Sequence, residues 1–432
     1  MESIWKRSVE SENFLQLQNE IKTDVLIVGG GLAGILCAYM LKNAGIECVL
    51  VEADHICGGV TGYTTAKITL QHGIIYDKII KKYGLESARL YLNAQREALS
   101  FYDKLCHNID CDYKTEDAFV YSAYNTRDIV REAMAYEQIG LKADFCNRVG
   151  LPLEIKGALR VKNQAQFNPL KFCFALAKDL TIYENTKVFE VFNGGAITNR
   201  GKIYAEKIII ATHFPFINKY GGYFLKMYQH RSYVLTLKNA NVPNGMYVDA
   251  DIKGLSFREY NDLLLLGGGS HRTGKKGGAW QELRDFAKVN YPNSKEVACW
   301  ATQDCITLDG IPYIGQYSPK TPNVYVATGF NKWGMTSSAV AAKILTDAIL
   351  GKENEYAKNF SPTRSILHKQ FVINAAETFV NLITPTKPRC PHLGCALKYN
   401  PHERSWDCPC HGSRFTEKGE LIENPATDDK NM

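Results

Sequence analysis

The sequence predicts a mixed α/β and α+β protein, in which an open parallel sheet is interleaved with a second sheet and followed by a small β-rich terminal domain. Three observations predict it: a strand, glycine turn, helix and strand at residues 24–52, later apolar strands separated by turn residues, and four cysteines with two histidines near the end. With 432 residues, 45% hydrophobic and 22% charged, the chain has an ordinary globular composition and is long enough for two or three domains.

The charge pattern excludes some classes of function. The chain has 51 basic and 45 acidic residues, a formal net charge of +6, and its basic residues are scattered rather than clustered. Solvated surface is therefore expected, and nucleic acid is not expected as a partner. The N-terminus lacks the apolar core of a signal peptide, and the most apolar run, residues 25–36, is too short for a membrane span. A cytoplasmic protein is predicted.

The glycine turn after the first strand has a mechanical explanation. Gly29, Gly31 and Gly34 form the pattern G-x-G-x-x-G between a strand at 24–28 and a helix at about 33–44. The first glycine permits a tight turn, the second lets the backbone approach a pyrophosphate, and the third lets the helix press on the sheet. A Rossmann-like dinucleotide site is predicted, with a purely structural turn as the alternative.

The residues after this turn bear on the choice of dinucleotide. Glu52 ends the second strand, where an acid accepts hydrogen bonds from ribose hydroxyls and disfavours a 2′-phosphate. The motif alone does not separate FAD from NAD. Residues 53–73, ADHICGGVTGYTTAKITLQHG, form a loop rich in small and hydroxyl side chains where an NAD-binding half normally continues into another helix. Such a loop can wrap a long, flat cofactor.

Further segments in the same order give a resemblance. The apolar strand at 207–215, the segment TLDGIPYIGQ at 307–316 and the strand, glycine turn and helix at 324–351 follow one another along the chain. From residue 24 to 351 the chain resembles the D-amino-acid oxidase and glycine oxidase superfamily of FAD-dependent oxidoreductases. The resemblance implies an FAD site built from separated segments, with Gly329, Gly334 and Met335 against the flavin and Gly59, Thr61, Thr64 and Thr65 along its front. The offset of Cys299 and Cys305 from Asp309 does not match covalent attachment, so non-covalent FAD is expected.

The intervening segments would form the substrate-binding sheet of that superfamily. A second nucleotide site at LLLLGGGSHRTG is rejected, because Arg272 stands where the third glycine belongs. The expected boundaries are FAD-binding segments at 20–110, 166–215 and 301–352, substrate-domain segments at 111–165 and 216–300, a linker with a helix at 353–387, and a terminal domain at 388–432.

The terminal cysteines and histidines have the spacing of a metal centre. Cys390-x-His392 and Cys408-x-x-His411 supply two cysteines and two histidines, the ligand set of a Rieske [2Fe-2S] cluster. Zinc is the alternative, but zinc signatures usually place paired cysteines two to four residues apart. The segments CPHLGC and CPCHGS resemble the Rieske family, and the resemblance implies a disulfide between Cys395 and Cys410.

The segment before this centre departs from the Rieske pattern, in which several strands precede the first cluster loop. Here Leu367, Phe371, Ala375, Phe379 and Ile383 recur every four residues and predict an amphipathic helix. An abridged Rieske sheet is therefore expected, with the cluster sheltered by the flavin domain.

These parts predict a dehydrogenase. FAD accepts two electrons, whereas a Rieske cluster accepts one at a time at about −150 to +300 mV. Hydride would pass from a small-molecule substrate, an amine or amino acid by the resemblance, to FAD, and electrons would leave through the cluster to an external one-electron acceptor protein. A reductase running in reverse from a ferredoxin-like donor and a non-enzymatic redox sensor are the alternatives.

Four residues are candidates for catalysis. Lys67 and His72 follow the loop at the flavin front, and His271 and Arg272 belong to the sheet domain; Lys332 and Trp333, in the final turn, are further candidates. Lys67 ranks first because a cation near the flavin would stabilise its reduced, anionic form. The alternative for each is a satisfied core histidine or a surface charge.

Overall fold

The computed structural model describes residues 2–10, 12–241, 244–251, 254–365, 368–385 and 388–429. The strands, numbered in chain order, are β1 Ile21–Val28, β2 Cys48–Val51, β3 Lys67–Ile68, β4 Lys114–Ser122, β5 Asp144–Cys146, β6 Gly157–Gln166, β7 Ile182–Tyr183, β8 Val188–Phe192, β9 Gly195–Thr198, β10 Gly201–Ile210, β11 Met227–Lys238, β12 Met246–Asp249, β13 Ser256–Tyr260, β14 Leu263–Arg272, β15 Lys295–Thr307, β16 Tyr313–Gln316, β17 Val324–Thr328, β18 Lys398–Asn400, β19 Ser405–Asp407, β20 Arg414–Thr416 and β21 Leu421–Glu423. The helices are α1 Ile4–Ser8, α2 Leu32–Asn43, α3 Tyr76–Tyr83, α4 Leu85–Cys106, α5 Thr126–Ile139, α6 Pro169–Ala177, α7 Tyr223–Lys226, α8 Ala279–Asn290, α9 Gly334–Ile349, α10 Ala357–Phe360 and α11 Lys369–Ile383.

The first sheet is the parallel one that the glycine turn predicts. Its order is β16-β17-β10-β1-β2-β7, with β1 parallel to both β10 and β2, and the short hairpin β8 and β9 attached to β10. The carboxyl halves of β1 and β10 are buried because α2 and α9 cover one face of the sheet and apolar side chains cover the other. The predicted α/β class is confirmed.

The second sheet is antiparallel except at one pairing. Its order is β15-β11-β14-β13-β12-β4-β6-β3, with β5 beside β6, and only β12 and β4 run parallel. The segment LLLLGGGSHRTG forms β14, between β11 and β13, so the rejection of a second nucleotide site is confirmed. Strand β15 lies at the edge of this sheet and continues into the turn that leads to β16.

A third, four-stranded antiparallel sheet, β18-β19-β20-β21, forms the terminal domain. It is as small as the sequence predicts, and its cysteines and Phe415 form a separate apolar cluster. Among the described residues, no helix combines the length and apolar character needed to cross a membrane.

Helix α11 confirms the predicted helix but turns its apolar side outwards. Phe379 and Ile383 are each 64% exposed, whereas Asn374 and Asn381 are buried. The buried asparagines have polar partners: Asn374 accepts a hydrogen bond from Arg272, and the Asn381 carbonyl accepts one from the amide of Ala396. The predicted helix is present, and its apolar side faces solvent while its buried side is polar. Leu367 lies outside the described residues.

Candidate functional site

The dinucleotide turn joins β1 to α2. Gly29 has a φ of +110°, and a Cβ there would lie 2.6 Å from the carbonyl oxygen of Ala211. A Cβ on Gly34 would lie 2.0 Å from the Gly29 carbonyl oxygen, so the helix can approach the strand only with glycine at this position. Gly31 precedes α2 and provides no side-chain cap. Since Gly31 has no side chain, the backbone at the N-terminus of α2 can approach a phosphate group, which fits a dinucleotide.

Glu52 follows β2 and closes this turn from the side. Its carboxylate accepts hydrogen bonds from the amides of Gly30, at 2.7 Å, and Asp54, at 3.1 Å. Burial raises the pKa of Glu52 above its ordinary value, although these amide hydrogen bonds oppose the shift. Glu52 therefore holds the glycine turn in place, and its role toward a ribose stays a prediction.

The front loop lies against the same helix. Thr61 accepts a hydrogen bond from the amide of Leu32 at 3.0 Å, which brings the loop to the N-terminus of α2. Trp5 of α1, fully buried, donates from its indole to the Thr64 carbonyl at 2.7 Å. Thr65 accepts from the ammonium of Lys67 at 3.2 Å, and Gly59 is exposed. The sequence gives no signal that the N-terminal helix supports this loop.

Two cations are buried behind the front loop. Lys67 has its pKa lowered to about 7, first by burial and then by the neighbouring Arg258. The guanidinium of Arg258 donates to the Gln166 side chain and to the carbonyls of Ala66 and Phe167, at 2.8 to 3.0 Å. Arg258, which the sequence did not single out, is therefore paired with neutral acceptors, and Lys67 has a hydroxyl partner only.

The final turn, between β17 and α9, contacts the sheet domain. Gly329 has a φ of +71°, and a Cβ there would clash with Thr307 at 2.3 Å. Lys332 donates to the hydroxyls of Ser232 at 2.8 Å and Ser270 at 3.2 Å. Gly334 begins α9, and the carbonyl of the buried Met335 accepts from Tyr102. The turn therefore places an ammonium beside strands β11 and β14.

Alternate residues of β11 and β15 face the same space as Lys332. His230 pairs with Asp304 across the two strands, and Ser232 pairs with Thr302. Burial raises the pKa of Asp304 and lowers the pKa of His230 to about 3. Desolvation by the surrounding groups also lowers the pKa of Lys332, although the side chain itself is exposed at the edge of this space. We call this set, Lys332, His230, Asp304, Ser232 and Thr302, the recess face.

The predicted catalytic residues do not all reach the recess face. His72 is buried, and its ring stacks on Trp333. Its Nδ1 is bonded to the Tyr91 hydroxyl, and its Nε2 is bonded to the Thr69 carbonyl and the Thr336 hydroxyl. Its pKa is lowered to about 3 by burial. This geometry is that of a neutral core histidine beneath the final turn.

His271 and Arg272 contact the terminal domain side instead. His271 is bonded to the Tyr233 hydroxyl and to the carbonyl of Arg272. The guanidinium of Arg272 donates to the carbonyls of Pro409 and Cys410, both at 3.2 Å. Their catalytic role stays a prediction, and their contacts are those of residues that hold the cluster loop.

The terminal domain brings the predicted metal ligands together. The Sγ atoms of Cys395, Cys408 and Cys410 lie within 4.8 Å of one another, and Cys390 is hydrogen-bonded to Cys408. The thiols are all free in the structure, so the disulfide between Cys395 and Cys410 stays a prediction. Hydrogen bonds from the other thiols, that of Cys390 first, hold the pKa of Cys408 well below its ordinary value.

The two histidines complete the donor set. The rings of His392 and His411 are 5.1 Å apart, and Phe224 packs beside both. Both nitrogens of the buried His411 and Nδ1 of His392 have no partner among the described residues. Unpartnered imidazole nitrogens beside a group of thiols fit a cluster with mixed cysteine and histidine ligands.

The cluster loop rests on the outer face of β11 and β15. Gln229 donates to the His411 carbonyl, and Gln303 donates to the Gly412 carbonyl, both at 2.9 Å. Gln303 also donates to the Gln229 side chain at 2.6 Å. Since neighbouring residues of a strand point to opposite faces, one sheet separates the recess face from the cluster loop. The cluster loop thus rests on the second sheet, and the expected shelter of the cluster by the flavin domain stays a prediction.

A buried ionic group fixes the same interface. Glu403 is paired with Arg231 of β11 and with Arg414 at 2.8 Å, and it accepts from the Tyr233 hydroxyl at 3.0 Å. Burial alone would raise the pKa of Glu403, but the two guanidinium groups outweigh it and hold the pKa below its ordinary value. Arg231 is also paired with Glu423 at 3.1 Å. The terminal domain is therefore bound to the sheet by charged groups that water does not reach.

Comparison with known proteins agrees with both parts of the site. Residues 24–348 match the model of the FAD dependent oxidoreductase family, and residues 348–431 match that of the Rieske [2Fe-2S] domain. YhfW of Bacillus subtilis (strain 168), named as a Rieske 2Fe-2S iron-sulfur protein, is 36% identical over 98% of this chain and 96% of its own length.

Two solved structures share the fold of the first part. Glycine oxidase from Geobacillus kaustophilus has a TM-score of 0.67 at 20% identity and covers 80% of this chain and 99% of its own. L-Proline dehydrogenase from P. horikoshii has a TM-score of 0.68 at 16% identity and covers 80% of this chain and 98% of its own. The chain therefore belongs to the family of FAD-dependent oxidoreductases, with FAD as the cofactor of its main part and a [2Fe-2S] cluster as that of its C-terminal Rieske domain.

Proposed function

We propose that this protein is a dehydrogenase for a small amine or amino acid, which passes the electrons through its Rieske cluster to an external one-electron acceptor protein. The observation that supports it best is the recess face, which contains an ammonium and a carboxyl group only one sheet away from the cluster loop. Opposite charges in a shielded recess suit a substrate that bears both an amino and a carboxylate group.

Each residue of the recess face has a role toward such a substrate. Lys332 would bind the substrate carboxylate, because its exposed ammonium has only hydroxyl partners and no carboxylate to pair with. Asp304, whose pKa is raised by burial, would hold the proton released by the substrate amine. His230 stays neutral at physiological pH and would orient the substrate through Nδ1, which has no partner among the described residues.

Bound FAD supplies a two-electron hydride acceptor, and the cluster supplies a one-electron carrier. Lys67 would favour the reduced cofactor through its charge, since a pKa of about 7 leaves it free to take up a proton when a negative charge develops nearby. Gln229 and Gln303 hold the loop of His411 against the sheet and so keep the distance for electron transfer short. Cys305 is buried with a raised pKa, which disfavours a thiolate and supports non-covalent FAD.

The relatives support the same class of substrate. Glycine oxidase and L-proline dehydrogenase are both named for the oxidation of amino acids, and they share the fold of residues that include the recess face. The Rieske domain, which matches from residue 348 onward, would replace oxygen as the electron acceptor. No residue of the recess face favours the reverse reaction over this one.

The test is an anaerobic titration of the purified holoprotein with a panel of amines and amino acids, following flavin absorbance and the cluster EPR signal together. Flavin bleaching followed by a Rieske-type signal is expected for the true substrate class. If the flavin stays oxidised with every compound while dithionite still produces the cluster signal, the dehydrogenase proposal fails and a reductase or a redox sensor takes its place.

A further inference from the structure

The loop between β10 and α7, residues 211–222, connects the two cofactor regions. It begins at the dinucleotide turn, where the Ala211 amide donates to the Val28 carbonyl at 2.8 Å. Further along, the carbonyls of Thr212 and Phe214 accept hydrogen bonds from the side chain of Asn424 in the terminal domain. The loop therefore lies against both the flavin-binding part and the Rieske domain.

Asn218, in this loop, contacts one of the two histidines of the cluster site. Its Oδ1 lies 2.8 Å from Nε2 of His392. A carboxamide oxygen only accepts hydrogen bonds, so Nε2 of His392 bears the proton. A neutral imidazole has one protonated nitrogen, which leaves the lone pair on Nδ1, and Nδ1 has no partner among the described residues. Asn218 thus selects the tautomer in which Nδ1 can bind iron.

The second histidine has a different environment. Both ring nitrogens of His411 are unpartnered among the described residues and buried, and only its backbone carbonyl is bonded, to Gln229. Phe224 packs edge-on against both rings, at 5.8 Å from His411 and 6.4 Å from His392. The two histidines therefore differ in one respect that bears on the metal, the amide oxygen on His392.

We propose that Asn218 is a positioning residue for the cluster ligand His392 and lowers the reduction potential of the cluster. An acceptor on the distal N–H of a metal-bound imidazole fixes the ring and makes the ligating nitrogen more basic. A more basic ligand stabilises the oxidised cluster relative to the reduced one. The proposal rests on His392 as a ligand and is independent of the substrate.

Asn218 is well suited to a direct test because it is exposed, so substitution leaves the core intact. Asn218→Asp places a full negative charge on the same acceptor, and Asn218→Leu removes the carboxamide acceptor. Asn93→Asp is the control: Asn93 is also exposed, on α4, which packs against α3, α5 and α9.

The experiment is a dye-mediated reductive titration of each holoprotein with dithionite at one pH, with the cluster followed by EPR. We expect the cluster potential to fall in Asn218→Asp, to rise in Asn218→Leu and to stay at the parent value in Asn93→Asp. Pulsed EPR on protein labelled with ¹⁵N-histidine adds a second readout, in which the coupling of one of two nitrogens changes in both Asn218 variants.

Equal potentials and unchanged nitrogen couplings in the parent and both Asn218 variants would overturn the proposal. A shift of the same sign in Asn218→Asp and Asn218→Leu would also overturn it, because the hydrogen bond requires opposite signs. Neither measurement uses an amine substrate. The role of Asn218 can therefore be tested even if the dehydrogenase proposal fails, and the dehydrogenase proposal can stand even if Asn218 has no effect on the cluster.

Discussion

The two faces of strand β11 have opposite chemistry. On the face toward the Rieske domain, the side chains of Gln229, Arg231 and Tyr233 each have polar partners. Gln229 donates to two carbonyl groups, and Arg231 is paired with two carboxylates. The hydroxyl of Tyr233 is bonded to a carboxylate and to a histidine. On the recess face, Nδ1 of His230 and the hydroxyl of Thr302 are buried without a partner among the described residues.

This difference separates a structural surface from a binding surface. A buried polar group without a hydrogen bond costs about 1–3 kcal/mol, so unpartnered groups on one face are candidates for contact with a ligand. The Rieske-facing side holds two domains together, and the recess face is the proposed substrate site. The predictions below test this division, beginning with the largest expected effect.

Replacement of Arg231 by Met should have the largest effect on stability. Removing one partner from a buried ionic group costs about 3–5 kcal/mol, because Glu403 loses one of its two guanidinium partners away from water. We expect a lower unfolding free energy in denaturant titration and faster proteolysis between the domains. The matched control is Arg160→Met on β6, whose ion pair with Asp144 is exposed and worth less than about 1 kcal/mol. Equal losses in the two variants would contradict the division.

Replacement of Lys332 by Met should affect turnover and leave stability intact. If Lys332 binds the substrate as proposed, loss of its charge should lower kcat/KM by about 10²-fold or more. The unfolding free energy should not fall, since the ammonium is disfavoured by its surroundings. Rapid mixing with substrate, monitored at the flavin absorbance, measures the first effect, with the exposed Lys288→Met of α8 as control. Full flavin reduction rates in Lys332→Met would show that the recess face is not the substrate site.

Features of the site set by local spacing were accessible from the sequence. The positive φ of Gly29 and the close approach of Gly34 to the Gly29 carbonyl both arise within one strand, turn and helix, so the G-x-G-x-x-G pattern is enough to predict them. The cluster loops are similar, because each of Cys390-x-His392 and Cys408-x-x-His411 lies on one tight turn. Among the described residues, Nδ1 of His392 and both nitrogens of His411 have no partner, so they are free to bind a metal.

Features set by strand pairing were not accessible. His230 and Asp304 meet only because β11 pairs with β15 in one particular register, and a shift of β15 by one residue would place Asp304 on the opposite face from His230. His271 and Arg272 are candidates from their place in the sheet domain, but the structure has their contacts on the Rieske side. Asn218 lies in a loop without a motif, so nothing in the sequence pointed to it.

The pH dependence of stability tests Lys67, which, like Lys332, is hydrogen-bonded to a hydroxyl group and not to a carboxylate. Its pKa is about 7 in the fold, below its ordinary value of 10.5, so protons bind more tightly to the unfolded chain. The contribution of Lys67 to the unfolding free energy of the apoprotein should therefore rise with pH between about 7 and 10.5, by up to about 1.4 kcal/mol per unit. Lys67→Met removes this contribution. Denaturant titrations of both apoproteins at pH 7, 8 and 9 should give curves that converge, and parallel curves would contradict a desolvated lysine.

The smallest effect is expected on the exposed side of α11. Phe379→Ser should change the unfolding free energy by no more than about 0.5 kcal/mol, because this side chain is mostly in water already. Asn374→Leu, on the buried side of the same helix, should cost about 1–3 kcal/mol, because Arg272 loses its side-chain acceptor. Thermal unfolding of the holoprotein compares the two. A larger loss of stability in Phe379→Ser than in Asn374→Leu would mean that the apolar side of α11 contributes more to stability than its polar side. A larger loss in Asn374→Leu would mean that polar contacts hold the Rieske domain in place, as they do on β11.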